Sequence, residues 1–289
     1  MTTVVRFGGY APAESTHGRA QIHFTQRMTE RLGDGVEVEI LHNVMDLGRP
    51  ATDLFTMVES GELTMCFFST SYLGDRVPEL NVLERPYLFS DLPEAHAALD
   101  GEFGAALTEA TERRTDFEVL GYWDNGFRHF TNRLRPVHSP ADVAGMIVRL
   151  QPNAMHEAMV EAWGGTPIAV ELSEGVRLIQ ELAVDAQENP LGNSVAYGVD
   201  KVHKYVTMTG HLYGARGVYA NRQMLADLPA EIADAVRASA RDAIVYQRSI
   251  AADYERELRE RLTAQGLEFI DLTADEREAF IAPTRHIGA

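Results

Sequence analysis

Residues 229–265 read PAEIADAVRASARDAIVYQRSIAADYERELRERLTAQ, a run in which no Gly and no further Pro interrupts a helical pattern carrying Ile232, Val236, Ala240, Ile244, Tyr246, Ile250, Tyr254, Leu258 and Leu262. At 1.5 Å per residue a helix of this length spans roughly 55 Å, well beyond a typical globular helix. The apolar positions include many alanines, so a strict heptad seam is poorly supported. The run predicts a helix laid across two lobes. No internal repeat of fixed short period appears, which argues against a solenoid.

Upstream of this helix the chain alternates strands and helices. Residues 4–9 read as a buried strand that ends in a Gly-Gly-Tyr-Ala-Pro loop, and residues 15–32 as a helix. Val36-Glu-Val-Glu-Ile40 alternates as a half-buried strand does, residues 49–60 form a helical pattern closed by Gly61, and residues 64–68 are a short apolar strand. This β-α-β-α-β order predicts an α/β sheet with parallel pairs, whose ligands gather at the carboxyl ends of strands. The loops after Gly9 and Phe68 are therefore candidate pocket walls. Further on, residues 94–115 read as helix, 117–123 as strand, and 127–132 alternate again. Ser139-Pro-Ala-Asp142 has the cap-then-proline form of a helix start. Strands at 146–150 and 166–170 and helices at 153–163 and 173–181 then restart the alternation, which predicts a second lobe on the same plan.

Composition bounds the function. Twenty-six basic and 43 acidic side chains leave a net charge of −17, so there is no clustered cation to displace counterions from nucleic acid or to bind an anionic membrane. Hydrophobic residues at 45% and charged residues at 24% are the proportions of a globular protein, and 289 residues allow one large domain or two of ordinary size. No stretch approaches the ~18 apolar residues of a membrane span. Met1-Thr-Thr runs straight into the first strand with no visible leader, which leaves open a cytosolic protein and one whose leader has been replaced. The single cysteine, Cys66, reads as a small buried thiol.

Catalytic signatures are missing: no GxGxxG follows the first strand, and no P-loop, GxSxG or HExxH occurs. His17 and His23 are not spaced as metal ligands. What stands out is a polar set on apolar strands. Arg128 lies in Phe127-Arg-His-Phe130, and Arg149 ends the run Met146-Ile-Val-Arg-Leu150, just before Gln151. A buried Arg at a strand end is costly unless its planar fork meets an anion, either a solute carboxylate or one of the chain's own acids. On composition alone Asp185-Ala-Gln-Glu-Asn-Pro190 reads as a turn. The strand-end argument nominates Tyr10, Glu14, Phe68, Ser69 and Ser71 in the first lobe.

The order of these segments resembles a known family. Gly121-Tyr-Trp-Asp-Asn-Gly-Phe-Arg-His-Phe-Thr-Asn132, Gly145-Met-Ile-Val-Arg-Leu-Gln-Pro152, Asp185-Ala-Gln-Glu-Asn-Pro190 and Thr207-Met-Thr-Gly-His-Leu-Tyr213 are similar to successive signatures of the solute-binding subunits, the DctP family, of tripartite ATP-independent periplasmic (TRAP) transporters. Val77-Pro-Glu-Leu80 and Pro86-Tyr-Leu-Phe89 fit the same pattern, and the likeness runs from about residue 4 to 268. It implies a two-lobed α/β periplasmic binding protein (type II-like), with mixed sheets flanked by helices and a long helix spanning both lobes, not an enzyme. By analogy the first lobe holds 1–125 and 214–253 and the second 126–213 and 254–289, with a stiff hinge of several crossings. The protein implied is a periplasmic monomer whose leader is absent from the given sequence. It captures a small organic acid, such as a sugar acid, in an interlobe cleft and hands it to TRAP membrane subunits.

The resemblance also assigns roles. Arg149 grips the solute carboxylate, Asn189 fixes that Arg and the carboxylate by hydrogen bonds, and Arg128 is a second basic residue. Tyr213 and Arg216 are candidate distal contacts. Some relatives use a metal held by a Gln two residues after the Arg; Gln151 is present, but residues 211–216 offer no carboxylate, so no obligatory metal and no cofactor are expected. Departures from the pattern are Leu172 for an aromatic, Arg177 for Tyr and Leu182 for Gly. Two other readings stay open: a two-lobed enzyme acting on a small acid with Glu188 or a His as base, and a ligand sensor reusing the fold.

Overall fold

The computed structural model describes residues 2–288. It has nine strands: β1 (Thr3–Gly8), β2 (Val36–Leu41), β3 (Met65–Ser69), β4 (Phe117–Asn132), β5 (Ile147–Leu150), β6 (Thr166–Ala169), β7 (Ala186–Asn189), β8 (Tyr205–Asn221) and β9 (Glu268–Ile270). The chain divides into two compact units. The first comprises the chain up to Glu79, Ala97–Asp124 and Ala215–Asp253; the second comprises Leu80–His96, Asn125–Gly214 and the chain from Tyr254 onward. Three of the passages from one unit to the other fall inside regular structure: within β4, within β8, and within the long helix Ala230–Ala264.

In the first unit the strand order is β2-β1-β3-β8. The parallel pairs β1–β2 and β1–β3 come from the two early helices, Thr16–Leu32 and Asp53–Glu59, whereas β8 returns antiparallel to β3. Ser15 starts the first helix by accepting the Gly18 N–H on its side chain, and Phe24 and Met28 bury that helix's apolar face. An aromatic core forms where Phe7, Phe24, Phe67 and Trp123 meet, with ring centroids 5.0–6.4 Å apart. Cys66 is fully buried in β3.

In the second unit the order is β4-β7-β5-β6, with β5 parallel to both neighbours and β4 antiparallel to β7; β9 pairs in parallel with β8. Its core gathers Phe130, Val148, Leu150, Met159, Trp163, Leu212 and Phe280. Residues 80–96, which the sequence reading placed in the first lobe, cluster with the second unit. A buried Glu84–His156 pair at 2.7 Å and the Tyr87 N–H on the His211 carbonyl hold them there.

Several local expectations change. The helix expected over 94–115 is two helices, Leu92–Asp100 and Glu102–Arg114, because Gly101 is extended between them. The two strands expected at 117–123 and 127–132 are one, β4, which passes through Gly121 at φ +132°. Only glycine fits there, since a Cβ would stand 2.4 Å from Ile244 Cδ1. The presumed turn 185–190 contains β7, and all four of its residues are buried. A polar strand can be buried when each side chain finds an internal partner, and here each does.

Leu182 is 55% exposed and sits at φ +59° just past the helix Leu172–Gln180. A left-handed Leu costs about 1–2 kcal/mol, partly offset by its smaller loss of chain entropy. Leu182→Gly should raise the unfolding free energy by roughly 0.5–1 kcal/mol in urea titration. Burial pushes His203 down to about 4, an effect to which the Arg133 charge adds and which Asp185 opposes. Because the unfolded chain takes up this proton near pH 6.5 and the native chain only near 4, native stability falls as pH drops through that interval. His203→Gln should flatten that limb by up to about 3 kcal/mol, read from unfolding free energies at pH 7 and pH 4.5.

Candidate functional site

In the second unit, β5 and β7 run parallel with Arg149 directly opposite Gln187. Residues opposed across a ladder share a face, and alternation puts Asn189 on that face too, with Glu188 on the other. Arg149 is 2% exposed. Its Nη2 donates to the Val170 carbonyl at 2.9 Å, while its buried Nε has no acceptor. Among the described residues it forms no ion pair. The helix Leu172–Gln180 packs flush against it through Gly175, where a Cβ would stand 2.1 Å from Nε and 2.6 Å from Cζ. Arg149 is thus a dehydrated cation with one neutral acceptor, and no internal anion among the described residues offsets its desolvation.

Asn189 does not bond to Arg149. Its Nδ2 donates to Gln187 Oε1 and its Oδ1 accepts from Asn193 Nδ2, each at 3.0 Å. Gln151, just past β5, is 7% exposed and Tyr213 is 4% exposed, with Phe89 and Phe127 each 5.7 Å from the Tyr213 ring. Two residues that the sequence did not single out belong to this neighbourhood: Gln187, and Glu171. One Glu171 oxygen caps the helix at the Glu174 N–H while the other is buried without a partner, next to the carbonyl that holds Arg149. Glu171 lies outside the family-like motifs, and Gln187 lies within residues 185–190, a segment in which the resemblance gives a solute-binding role to Asn189 alone.

On the opposite face Arg128 grips Glu188 through both carboxylate oxygens, the Nη2–Oε1 contact being 2.7 Å, and also donates to the Glu188 carbonyl at 2.8 Å. His211 Nε2 lies 3.2 Å from the same carboxylate. Burial alone would raise the Glu188 pKa, but the Arg128 charge and the hydrogen bonds from His211 and Arg128 hold it well below the usual carboxylate range. Burial keeps His211 neutral against the pull of Glu188. Glu188, the base of the enzymatic alternative, is therefore a poor proton acceptor. The structure places Arg128 against an internal acid, an arrangement Arg149 lacks.

The first unit brings together five of its candidates, Tyr10, Phe68, Ser69, Ser71 and Arg216. Arg216 is opposite Ser69 across the β3–β8 ladder, fully buried, with its guanidinium 4.5 Å from the Tyr10 ring and 5.7 Å from Phe67. Phe68 meets Tyr10 edge-on at 4.6 Å, and the Ser69 and Ser71 hydroxyls are 2.9 Å apart. Burial, and then the Arg216 charge, press His17 well below its ordinary pKa. Glu14 is exposed at the head of the first helix, away from this cluster's interior. Arg177 is spent on the surface with Glu174 and Glu181. Among the described residues no three His, Cys, Asp or Glu side chains are grouped to hold a metal, and no helix is long and apolar enough to cross a membrane.

Comparison with known proteins places these features in a lineage. Residues 7–287 match the family model described as bacterial extracellular solute-binding protein, family 7. The chain is similar to the 2,3-diketo-L-gulonate-binding periplasmic protein YiaO of Escherichia coli K12, at 29% identity over 96% of this chain and 83% of that protein. It is similar to a solute-binding protein of Verminephrobacter eiseniae, at 30% identity over 93% and 79%. In fold it is similar to a TRAP periplasmic solute-binding protein from Sulfitobacter sp. NAS-14.1 with bound β-D-galacturonate (TM-score 0.90, 25% identity, 98% and 92% covered).

The Gly175 contact yields a check on the site's construction. Gly175→Ala should push the Arg149 guanidinium off the Val170 carbonyl and lower the unfolding free energy by about 1–3 kcal/mol. Gly192→Ala, where a Cβ would meet only Tyr254 at 3.5 Å and Leu258 at 3.9 Å, should be neutral or mildly stabilising.

Proposed function

Because the chain belongs to the bacterial extracellular solute-binding proteins of family 7, the periplasmic binding components of TRAP transporters and not enzymes, we propose that it captures a small organic acid whose carboxylate is clamped by Arg149. The observation that carries this reading is the burial of the Arg149 guanidinium with one backbone carbonyl for company. A bidentate carboxylate supplies the missing acceptors in the geometry the guanidinium fork favours. Asn189 adds a hydrogen bond to the same carboxylate. Arg128, charge-balanced by Glu188 on the other face, is in this reading not the primary clamp.

One carboxylate cannot select among acids, so the remaining candidates decide the solute. Tyr10, Phe68, Ser69, Ser71 and Arg216 in the first unit, and Gln151 and Tyr213 in the second, present hydroxyls, amide and aromatic faces suited to a hydroxylated acid. The relatives that bind 2,3-diketo-L-gulonate and β-D-galacturonate favour a sugar acid as the first candidate. Glu14, exposed near Tyr10, is a peripheral contact. In this reading the protein acts as a monomer and passes the acid to the transporter's membrane subunits.

A thermal-shift screen with D-galacturonate, D-gluconate, 2,3-diketo-L-gulonate, succinate, L-malate and pyruvate tests the class, since a ligand at 100 times its Kd stabilises the protein by about 2.7 kcal/mol. For the acid found, Arg149→Ala should weaken binding from about tenfold to several hundredfold in calorimetry, the value of a charge-assisted hydrogen bond and more. Unchanged affinity removes Arg149 from the clamp.

A further inference from the structure

Gln187 is the residue of β7 nearest to Arg149 in the ladder, it is 1% exposed, and every polar atom of its side chain is used. Its bonds run in one direction. The Ser194 hydroxyl spends its proton on the Pro190 carbonyl at 3.3 Å, so its oxygen receives the Gln187 Nε2 proton at 3.1 Å. Thr131 Oγ1, whose own proton has the Gln187 carbonyl or His203 Nδ1 to go to, accepts from the same nitrogen at 3.4 Å. Two hydroxyl oxygens therefore fix the amide nitrogen at one end and leave Oε1 at the other, facing Asn189. Asn189 answers by donating from Nδ2, and Asn193 occupies Asn189 Oδ1.

We propose that Gln187 is a positioning residue that sets the polarity of the Asn189 carboxamide, so that Asn189 presents its second Nδ2 proton, a donor, to the solute. This rests on the reading of Arg149 and Asn189 as the carboxylate site and deepens it. An Asn amide is nearly symmetric in shape, so packing alone does not decide which end faces outward; a turned amide would aim its oxygen at a carboxylate oxygen and repel it. Gln187 never touches the solute. It acts by removing the wrong rotamer before the solute arrives, which lowers the ordering cost of binding.

The test is a double-mutant cycle by calorimetry, with D-galacturonate and succinate as probes. Gln187→Leu should weaken binding about three- to tenfold in the native background, the scale of one net hydrogen bond. In an Asn189→Ala background the same substitution should change affinity by less than about twofold, because the group it acts through is gone. Equal losses in both backgrounds indicate a merely structural role and overturn the proposal. Ser194→Ala, which removes an acceptor behind Gln187, is the second variant should Gln187→Leu fail to fold, and the same cycle applies to it. Without any solute, exchange of the Asn189 side-chain amide protons in NMR spectra should be slow in the native protein and faster in Gln187→Leu or Ser194→Ala. Unchanged exchange overturns the proposal even where no acid binds, an outcome that would sink the carboxylate reading separately.

Discussion

A guanidinium removed from water and given one neutral oxygen is the constraint around which the second unit is organised. Several kcal/mol of desolvation attach to such a group even after relaxation, and one carbonyl does not offset it. The surrounding sequence tolerates this cost in a specific way. Gly175 lets a helix lie against the cation without a Cβ between them, the Val170 carbonyl gives it direction, and the neighbouring acid, Glu188, is turned to the opposite face and neutralised by Arg128. Had Glu188 stood one residue earlier or later along β7, it would share the Arg149 face and could have closed the site as an internal ion pair.

Much of this was legible in the chain. Arg149 could be singled out because a charged residue ends an otherwise apolar strand, and the long helix because 35 residues, Ala230–Ala264, hold a helical pattern without a break. The β-α-β alternation placed β1, β2, β3, β5 and β6 to within a residue or two, split β4 in two, and did not read β8 or β9. β7 was opaque for a physical reason: Ala186-Gln-Glu-Asn189 has the composition of a turn, and only the partners supplied by Thr131, Ser194, Arg128 and Asn193 make it a buried strand. Those partners are distant or unremarkable in sequence. Gln187 and Glu171 were invisible for the same reason, since their importance lies in which atoms are satisfied and which are not. Residues 80–96 were misplaced because their anchors, Glu84 on His156 and Tyr87 on His211, are long-range contacts that no local pattern announces.

The net charge of −17 is compatible with an anionic solute because the two effects act over different distances. At physiological salt the Debye length is about 8 Å, so scattered surface carboxylates are screened from an approaching acid, and many are already tied to arginines such as Arg27, Arg49, Arg177 and Arg237. Contact with a dry guanidinium is not screened. The acid surplus bears on solubility, and in the proposed reading recognition falls to a few buried groups.

Cys66 gives the molecule an internal reporter. It is the single thiol of the chain, fully buried in β3, and burial raises its pKa far above that of a free cysteine, so the native protein offers an alkylating reagent neither access nor a thiolate. Labelling can therefore proceed only through openings of the first unit, and its rate measures the free energy of those openings. One tryptophan in each unit, Trp123 and Trp163, offers a fluorescence signal alongside. A thiol clock read against these two fluorophores would tell whether the units lose their structure in one cooperative event or in sequence, since β4, β8 and the long helix each contribute residues to both.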